Sequence, residues 1–380
     1  MEFIKNRMMQ SVKAKAKVVL PRIMLFIVIW VTCSASYADV FSWVAFRDQI
    51  DCHTIDRMVE VTAYRPFVYR QLVPQTAHFI REHLPEKTEQ KLQAQYEKTD
   101  LNSNPYALPS IYARSTIPRE YAIEYYLIYG ITFLCFFAST WILRSILMEV
   151  LKDRVAGTLT ALLFVLLFPF FTRAGAFFYD FSEMLFFFLA IKFAMHGRWI
   201  TLLCLTPFAV WNKESFFFFL LTLLPFHRAH FGMKKALLLT LGLLLIAGLS
   251  YLPVHWHYAM NPGGTVEYHF WDHVANLFSW KSYWQVTRTY GTWTGSGVFL
   301  PHVLLLVWMI FHVWKQVPSI WKQHMGIACA INLPLYWMFC WLAELRNLSF
   351  LYFSFCIIMG FWIRETLWRL YQPPAAGEGK

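Results

Sequence analysis

Charge is scarce in this chain of 380 residues, where Asp, Glu, Lys and Arg together make up 15 %. Soluble domains carry about 25 %. With hydrophobic residues at 57 %, that shortage excludes a soluble enzyme and a disordered chain. Cysteine gives no framework either. Cys33, Cys135, Cys204, Cys329, Cys340 and Cys356 lie in or beside apolar stretches, and only Cys52 falls in a polar segment. No disulfide pattern or metal-type spacing follows. The chain lacks a glycine-rich phosphate cradle and a G-x-S-x-G elbow, so a soluble-type ATPase or hydrolase has no support. It lacks alternating apolar segments, which excludes a β-barrel.

What is abundant is apolar and aromatic: 36 Phe, 19 Tyr and 17 Trp. A bilayer-crossing helix needs about 20 mostly apolar residues. Ten stretches are read as spans, near 22–46, 121–147, 155–171, 181–196, 198–211, 215–227, 235–254, 298–315, 325–343 and 348–368. In lipid the backbone must satisfy itself, so each is a helix. The expected fold is therefore all-α, a single polytopic transmembrane helical bundle over 1–380. Two polar segments, 47–120 and 255–297, form extracytoplasmic loops, the first carrying short surface helices. A cleavable leader ending near Ser36-Tyr37-Ala38 is the alternative for the first stretch. The apolar character resuming at Val40–Phe46 favours a retained anchor.

The formal charge of +11 reads as a topology signal and gives no reason to expect nucleic acid. With the N-terminus inside and strict alternation, the inner segments hold 19 Lys and Arg against five acids. The outer segments hold 15 against 18. Positive loops stay inside, so both termini are expected in the cytoplasm. Short loops and strong bias suggest a bacterial inner membrane. The polybasic N-terminus can touch anionic membrane lipids.

Ionisable groups near membrane depth line a cavity or pair with each other. Asp180 and Glu183 open the fourth span. Lys213 and Glu214 follow the fifth. Glu344 and Arg346 follow the ninth. All are expected on the outer side, as are Asp48 and Asp51 after the first span. Each short cluster alone reads as a helix cap or structural ion pair. Their shared side suggests an outer vestibule. The run Tyr64-Arg65-Pro66-Phe67-Val68-Tyr69-Arg70 sets two guanidinium groups among Tyr64, Tyr69 and prolines. Such forks suit a phosphate, and beside a membrane that means a lipid phosphate; headgroup anchoring is the plainer reading. His269 and His273 are four apart, as one helical face of a metal site requires, although interfacial histidines among aromatics account for them as well.

These features resemble the GT-C class of integral membrane glycosyltransferases. The run Arg65–Pro74, the turn Asn212-Lys213-Glu214-Ser215 and the segment Glu344-Leu345-Arg346-Asn347 look like patterns in compact bacterial GT-C-like proteins. The resemblance implies a polyprenyl-phosphate sugar donor, used at the extracytoplasmic face, and a lipid or glycan acceptor. It implies that an acid of the first loop, Asp48 or Asp51, is the base or a metal ligand. Arg65, Arg70, Arg346 and Lys213 would hold phosphate. Tyr64, Tyr69, Asp180, Glu183, Glu214 and Glu344 would line the pocket. A divalent metal such as Mg or Mn is compatible with that chemistry, and envelope glycan assembly proteins are the fitting partners. Two rivals follow from the same features. A transporter or flippase predicts polar residues through the membrane midplane. A non-catalytic subunit of a glycan assembly complex predicts that vestibule acids are replaceable.

Overall fold

A computed structural model describes residues 2–44, 46–47, 50–98, 118–173, 175–264, 266–342 and 344–371. The chain is helical, in keeping with its apolar runs. The principal helices are α1 (Glu2–Val44), α2 (Ile55–Val59), α3 (Leu72–Glu82), α4 (Glu86–Lys98), α5 (Ala122–Leu151), α6 (Arg154–Phe171) and α7 (Phe178–Met195). They continue with α8 (Trp199–Asn212), α9 (Phe216–Phe219), α10 (Leu224–His257), α11 (Phe270–Leu277), α12 (Leu300–Val313), α13 (Ser319–Phe339) and α14 (Tyr352–Tyr371).

Among the described residues, five stretches are long and apolar enough to cross a membrane: Val19–Phe41, Ala122–Leu151, Arg154–Phe171, Phe216–His257 and Leu345–Tyr371. Their outer faces confirm the solvent they are built for. On α10, Leu238, Leu241, Leu245 and Leu249 are each about 60–70 % exposed, a surface that water would not tolerate. The protein is thus a membrane protein. All ten apolar stretches fall on helices, but a count of ten spans goes beyond this. Helices α8 and α12 have 14 residues each, or roughly 21 Å of helix, short of a hydrocarbon core of about 30 Å. The sixth and seventh stretches run into one another, broken by Gly232, whose φ of 74° is non-helical.

Local chemistry sets the turns. Lys152 takes a left-handed conformation (φ 53°) and ends α5. Asp153 then caps α6, its carboxylate accepting from the backbone N–H of Val155 and Ala156 at 2.8 and 3.0 Å. The two helices pack so closely that a Cβ on Gly157 would lie 2.8 Å from the Met148 backbone nitrogen. Small residues permit such approach in membranes. One element departs from the all-α expectation: β1 (Val286–Thr289) pairs antiparallel with β2 (Thr292–Gly295), with Val286 opposite Gly295. Tyr290 and Gly291 both have positive φ, the conformation a tight hairpin turn needs, and threonines supply the strand preference. The hairpin is tied down by Tyr290, whose N–H donates to Asp39 Oδ1 (2.8 Å) and whose hydroxyl donates to the Leu166 carbonyl (3.1 Å).

The two long polar segments share one end of the bundle. Asn261 Nδ2 donates to the carbonyls of Val61 (2.9 Å) and Ala63 (3.0 Å). The Arg65 N–H donates to the Pro262 carbonyl at 2.8 Å. The described part of the first loop contains α2, α3 and α4. Arg81 fastens it to the start of α5 by an ion pair with the fully buried Glu124 (2.7 Å).

Candidate functional site

At the first-loop end, turns from distant parts of the sequence form one charged network. Asp180 stands in the first turn of α7, where its carboxylate accepts from the Phe177 N–H at 2.9 Å, a favourable place for an acid. One turn on, Glu183 points the same way. The reversal after α8 carries Lys213, whose Nζ bridges Asp180 (3.1 Å) and Glu183 (2.8 Å). Ser215 donates to the other oxygen of Glu183. The segment before α14 brings Arg346, which donates to Asp180 (3.0 Å) and pairs with Glu344 (3.2 Å). Glu344 in turn accepts from Arg47 at 2.8 Å. Arg70 closes the other side with a two-pronged grip on Glu214, one arm at 3.0 Å, and donates to the Tyr179 hydroxyl at 2.5 Å.

Two aromatic rings organise the cations. Phe177 and Tyr179 stack with centroids 4.9 Å apart. The guanidiniums of Arg346 and Arg47 lie 4.5 and 5.2 Å from the Phe177 centroid. Arg70 and Lys213 lie 4.5 and 5.4 Å from that of Tyr179. Cations over aromatic faces gain most when desolvated. His53 packs on Phe177 (4.8 Å) and Phe67 (4.5 Å).

Four cations thus meet four carboxylates, and the network as described is neutral. The side chains of Asp180, Glu183, Lys213, Glu344 and Arg346 are each less than 10 % exposed. Arg47 at 24 % and Glu214 at 31 % mark its accessible margin. Burying so many charges costs more than apolar packing of the same volume, which makes the network a candidate for function. Two of its carboxylates, Glu344 and Glu214, are held as anions. Burial pushes Glu344 and Glu214 up, but Arg346 and Arg47 for the first, and Arg70 for the second, pull them below the usual carboxylate range. Such acids are weak bases. His53 moves the opposite way: burial, with Arg47, Arg346 and Arg70 nearby, drives it down to about 4, so it is neutral at pH 7. The Nε of Arg346 is buried and has no hydrogen-bond partner among the described residues.

The remaining sequence candidates are elsewhere or differently engaged. Asp48 lies outside the described residues. Asp51 is exposed, with Arg57 as a distant partner at 3.7 Å. Arg65 donates to the Gly263 carbonyl at 2.7 Å and so parts from Arg70, five residues on. Tyr64 is half-exposed beneath Arg57 (5.9 Å), while buried Tyr69 packs on His255 (5.1 Å) and Tyr251 (5.9 Å). His269 holds Asp272 at 2.9 Å and Glu267 at 3.3 Å. His273 turns its Nε2 to the Cys340 carbonyl (2.8 Å). Among the described residues no group of three or more His, Cys, Asp or Glu is poised to hold a metal ion. Sequence reasoning missed Arg47 and His53. The signal for Arg47 was a cation directly after the first span, overlooked beside the acids Asp48 and Asp51.

Comparison of the chain with family models, with curated proteins and with solved structures finds no match.

Proposed function

We propose that this membrane protein is a glycosyltransferase that takes a sugar from a polyprenyl-phosphate donor at the first-loop end and passes it to a lipid or glycan acceptor. The observation that carries this reading is the convergence of Arg47, Arg70, Lys213 and Arg346 on two stacked rings at one end of an apolar bundle. A departing lipid phosphate needs cations held in place before the reaction. Arg47 is the natural first contact. It is the most exposed of the four, and among the described residues it spends a single N–H, on Glu344. Arg346 stands behind it with its Nε unused. Glu214 and Glu344 are held as anions by their arginines, and Asp180 and Glu183 are both engaged by Lys213, so the base that accepts the acceptor's hydroxyl proton is Asp48 or Asp51, which follow Arg47 in the sequence. In the finer topology that goes with this reading, ten spans cross a bacterial inner membrane, both termini are cytoplasmic, and the network faces outward.

The test is transfer from a labelled polyprenyl-phosphate sugar by the purified, reconstituted protein and by Asp48→Asn, Asp51→Asn and Arg47→Gln variants. Loss of turnover in one Asp variant, and weakened donor binding in the Arg47 variant, are expected. Full activity in both Asp variants would remove the base.

The network's charge balance favours a second reading, a non-catalytic subunit of an envelope glycan assembly. There the ion pairs fix the shape of a docking end. This predicts no turnover by the wild type alone, and co-purification with a partner that survives Asp48→Asn and Asp51→Asn.

A further inference from the structure

At the opposite end of the bundle lies a cavity of about 830 Å³ between the α5–α6 turn, the segment 314–316 and the end of α14. Helix α14 begins beside Arg346 of the charged network, α5 begins under the first loop, and both finish here, so the cavity opens at the other end of the bundle. Its walls are of two kinds. Leu151, Val155, Leu367, Trp368 and Tyr371 are apolar or amphipathic, and Trp368 and Tyr371 are exposed. Between them stand Lys152, Arg364 and Arg369, with Asp153 and Glu365 as the only acids of the lining.

Both acids are already engaged. Asp153 caps α6 through two backbone N–H groups. Glu365 pairs with Arg369 and His312 and accepts from Gln316 Nε2 at 2.5 Å. Arg364 is different: its bonds go to neutral oxygens, the Leu151 carbonyl and Gln316 Oε1, both at 3.1 Å. Its guanidinium lies 4.7 Å from the Phe361 ring centroid. It is therefore held in place with no carboxylate partner among the described residues. Lys152, fixed by the left-handed turn, has no carboxylate partner among the described residues. Two unpaired cations thus share an apolar-walled cavity at a bilayer surface.

We propose that this cavity binds the phosphodiester headgroup of an anionic phospholipid, with Arg364 and Lys152 on the phosphate and the first acyl carbons against Leu151, Val155 and Leu367. Trp and Tyr at the rim sit where such side chains favour the interface, and basic pockets between helices suit acidic headgroups. This site is separate from the proposed sugar transfer, and absence of transferase activity would leave it standing.

The experiment uses the full chain in detergent, stripped of lipid and offered dioleoyl-phosphatidylglycerol or dioleoyl-phosphatidylcholine, with retained lipid counted by native mass spectrometry. The wild type is expected to retain phosphatidylglycerol in preference to phosphatidylcholine. Lys152→Gln is expected to lower that retention about fivefold, and Arg364→Gln by at least as much. Lys87→Gln, in the first loop, is expected to leave it unchanged. The Lys152 side chain makes no hydrogen bond among the described residues, so its variant remains informative if Arg364→Gln misfolds. Equal retention of the two lipids, or wild-type retention by Lys152→Gln, would overturn the proposal. So would displacement of phosphatidylglycerol by millimolar inorganic phosphate, which would make the site one for free phosphate.

Discussion

Replacing Lys213 by Met probes the network at its centre. Among the described residues Lys213 is the single cation that touches both Asp180 and Glu183, whose side chains are 4 % and 3 % exposed. Met matches its length and stays apolar. Once Lys213 is gone, Asp180 keeps Arg346 and the Phe177 N–H, whereas Glu183 keeps, among the described residues, only the Ser215 hydroxyl. The loss therefore falls mainly on Glu183, a buried carboxylate without a cation. Removing one partner of a buried pair costs about 3–5 kcal/mol. Neutralising the abandoned acid by Glu183→Gln in the same chain removes the stranded charge, and a net hydrogen bond in its place contributes about 1 kcal/mol. The double variant should thus regain most of the loss, with a favourable coupling of roughly 2–3 kcal/mol between the two positions. Thermal unfolding in one detergent, followed by tryptophan fluorescence for the wild type, both singles and the double, measures the cycle. A Lys213→Met protein as stable as the wild type would refute the reasoning. So would a double variant whose losses simply add.

Two further outcomes follow. His53 has a folded value of about 4 against an ordinary 6.5, so between those values the unfolded chain binds more protons and acidification destabilises the fold. Stability is level above that window and falls through it, by up to about 3 kcal/mol; His53→Phe should flatten this part of the profile, and an unchanged slope in melting temperature from pH 7 to 5 would contradict the assignment. Gly157→Ala puts a methyl group 2.8 Å from the Met148 backbone nitrogen, which forces α5 and α6 apart and costs about 1–3 kcal/mol; an unaltered melting temperature would show that the contact is looser than described.

The helices were legible because lipid-facing and core positions are both apolar, so the runs stand out whatever their partners. Their number was not legible in the same way. Helix α8 ends after 14 residues, and Gly232 breaks what would otherwise be continuous helix, features that composition alone blurs. The meeting of Asp180, Lys213 and Arg346 was foreshadowed by parity: reversals after successive helices return the chain to the same end. Parity says nothing of pairing. That Arg47 reaches Glu344, 297 residues away, and that Arg65 and Arg70 separate despite their short spacing, depends on how the two loops fold over each other. The β1–β2 hairpin was hidden inside a segment whose aromatic richness drew the reading toward the membrane interface.

On the proposed function, the cations at the first-loop end receive a lipid phosphate. An electron cryomicroscopy map of the protein with a non-reactive polyprenyl-phosphonate sugar tests it most directly. Phosphonate density is expected against Arg47, with Arg346 behind it and the Asp180–Lys213–Glu183 cluster intact. Phosphonate density out of reach of Arg47, Arg70, Lys213 and Arg346, with Arg47 still closed on Glu344, would contradict it.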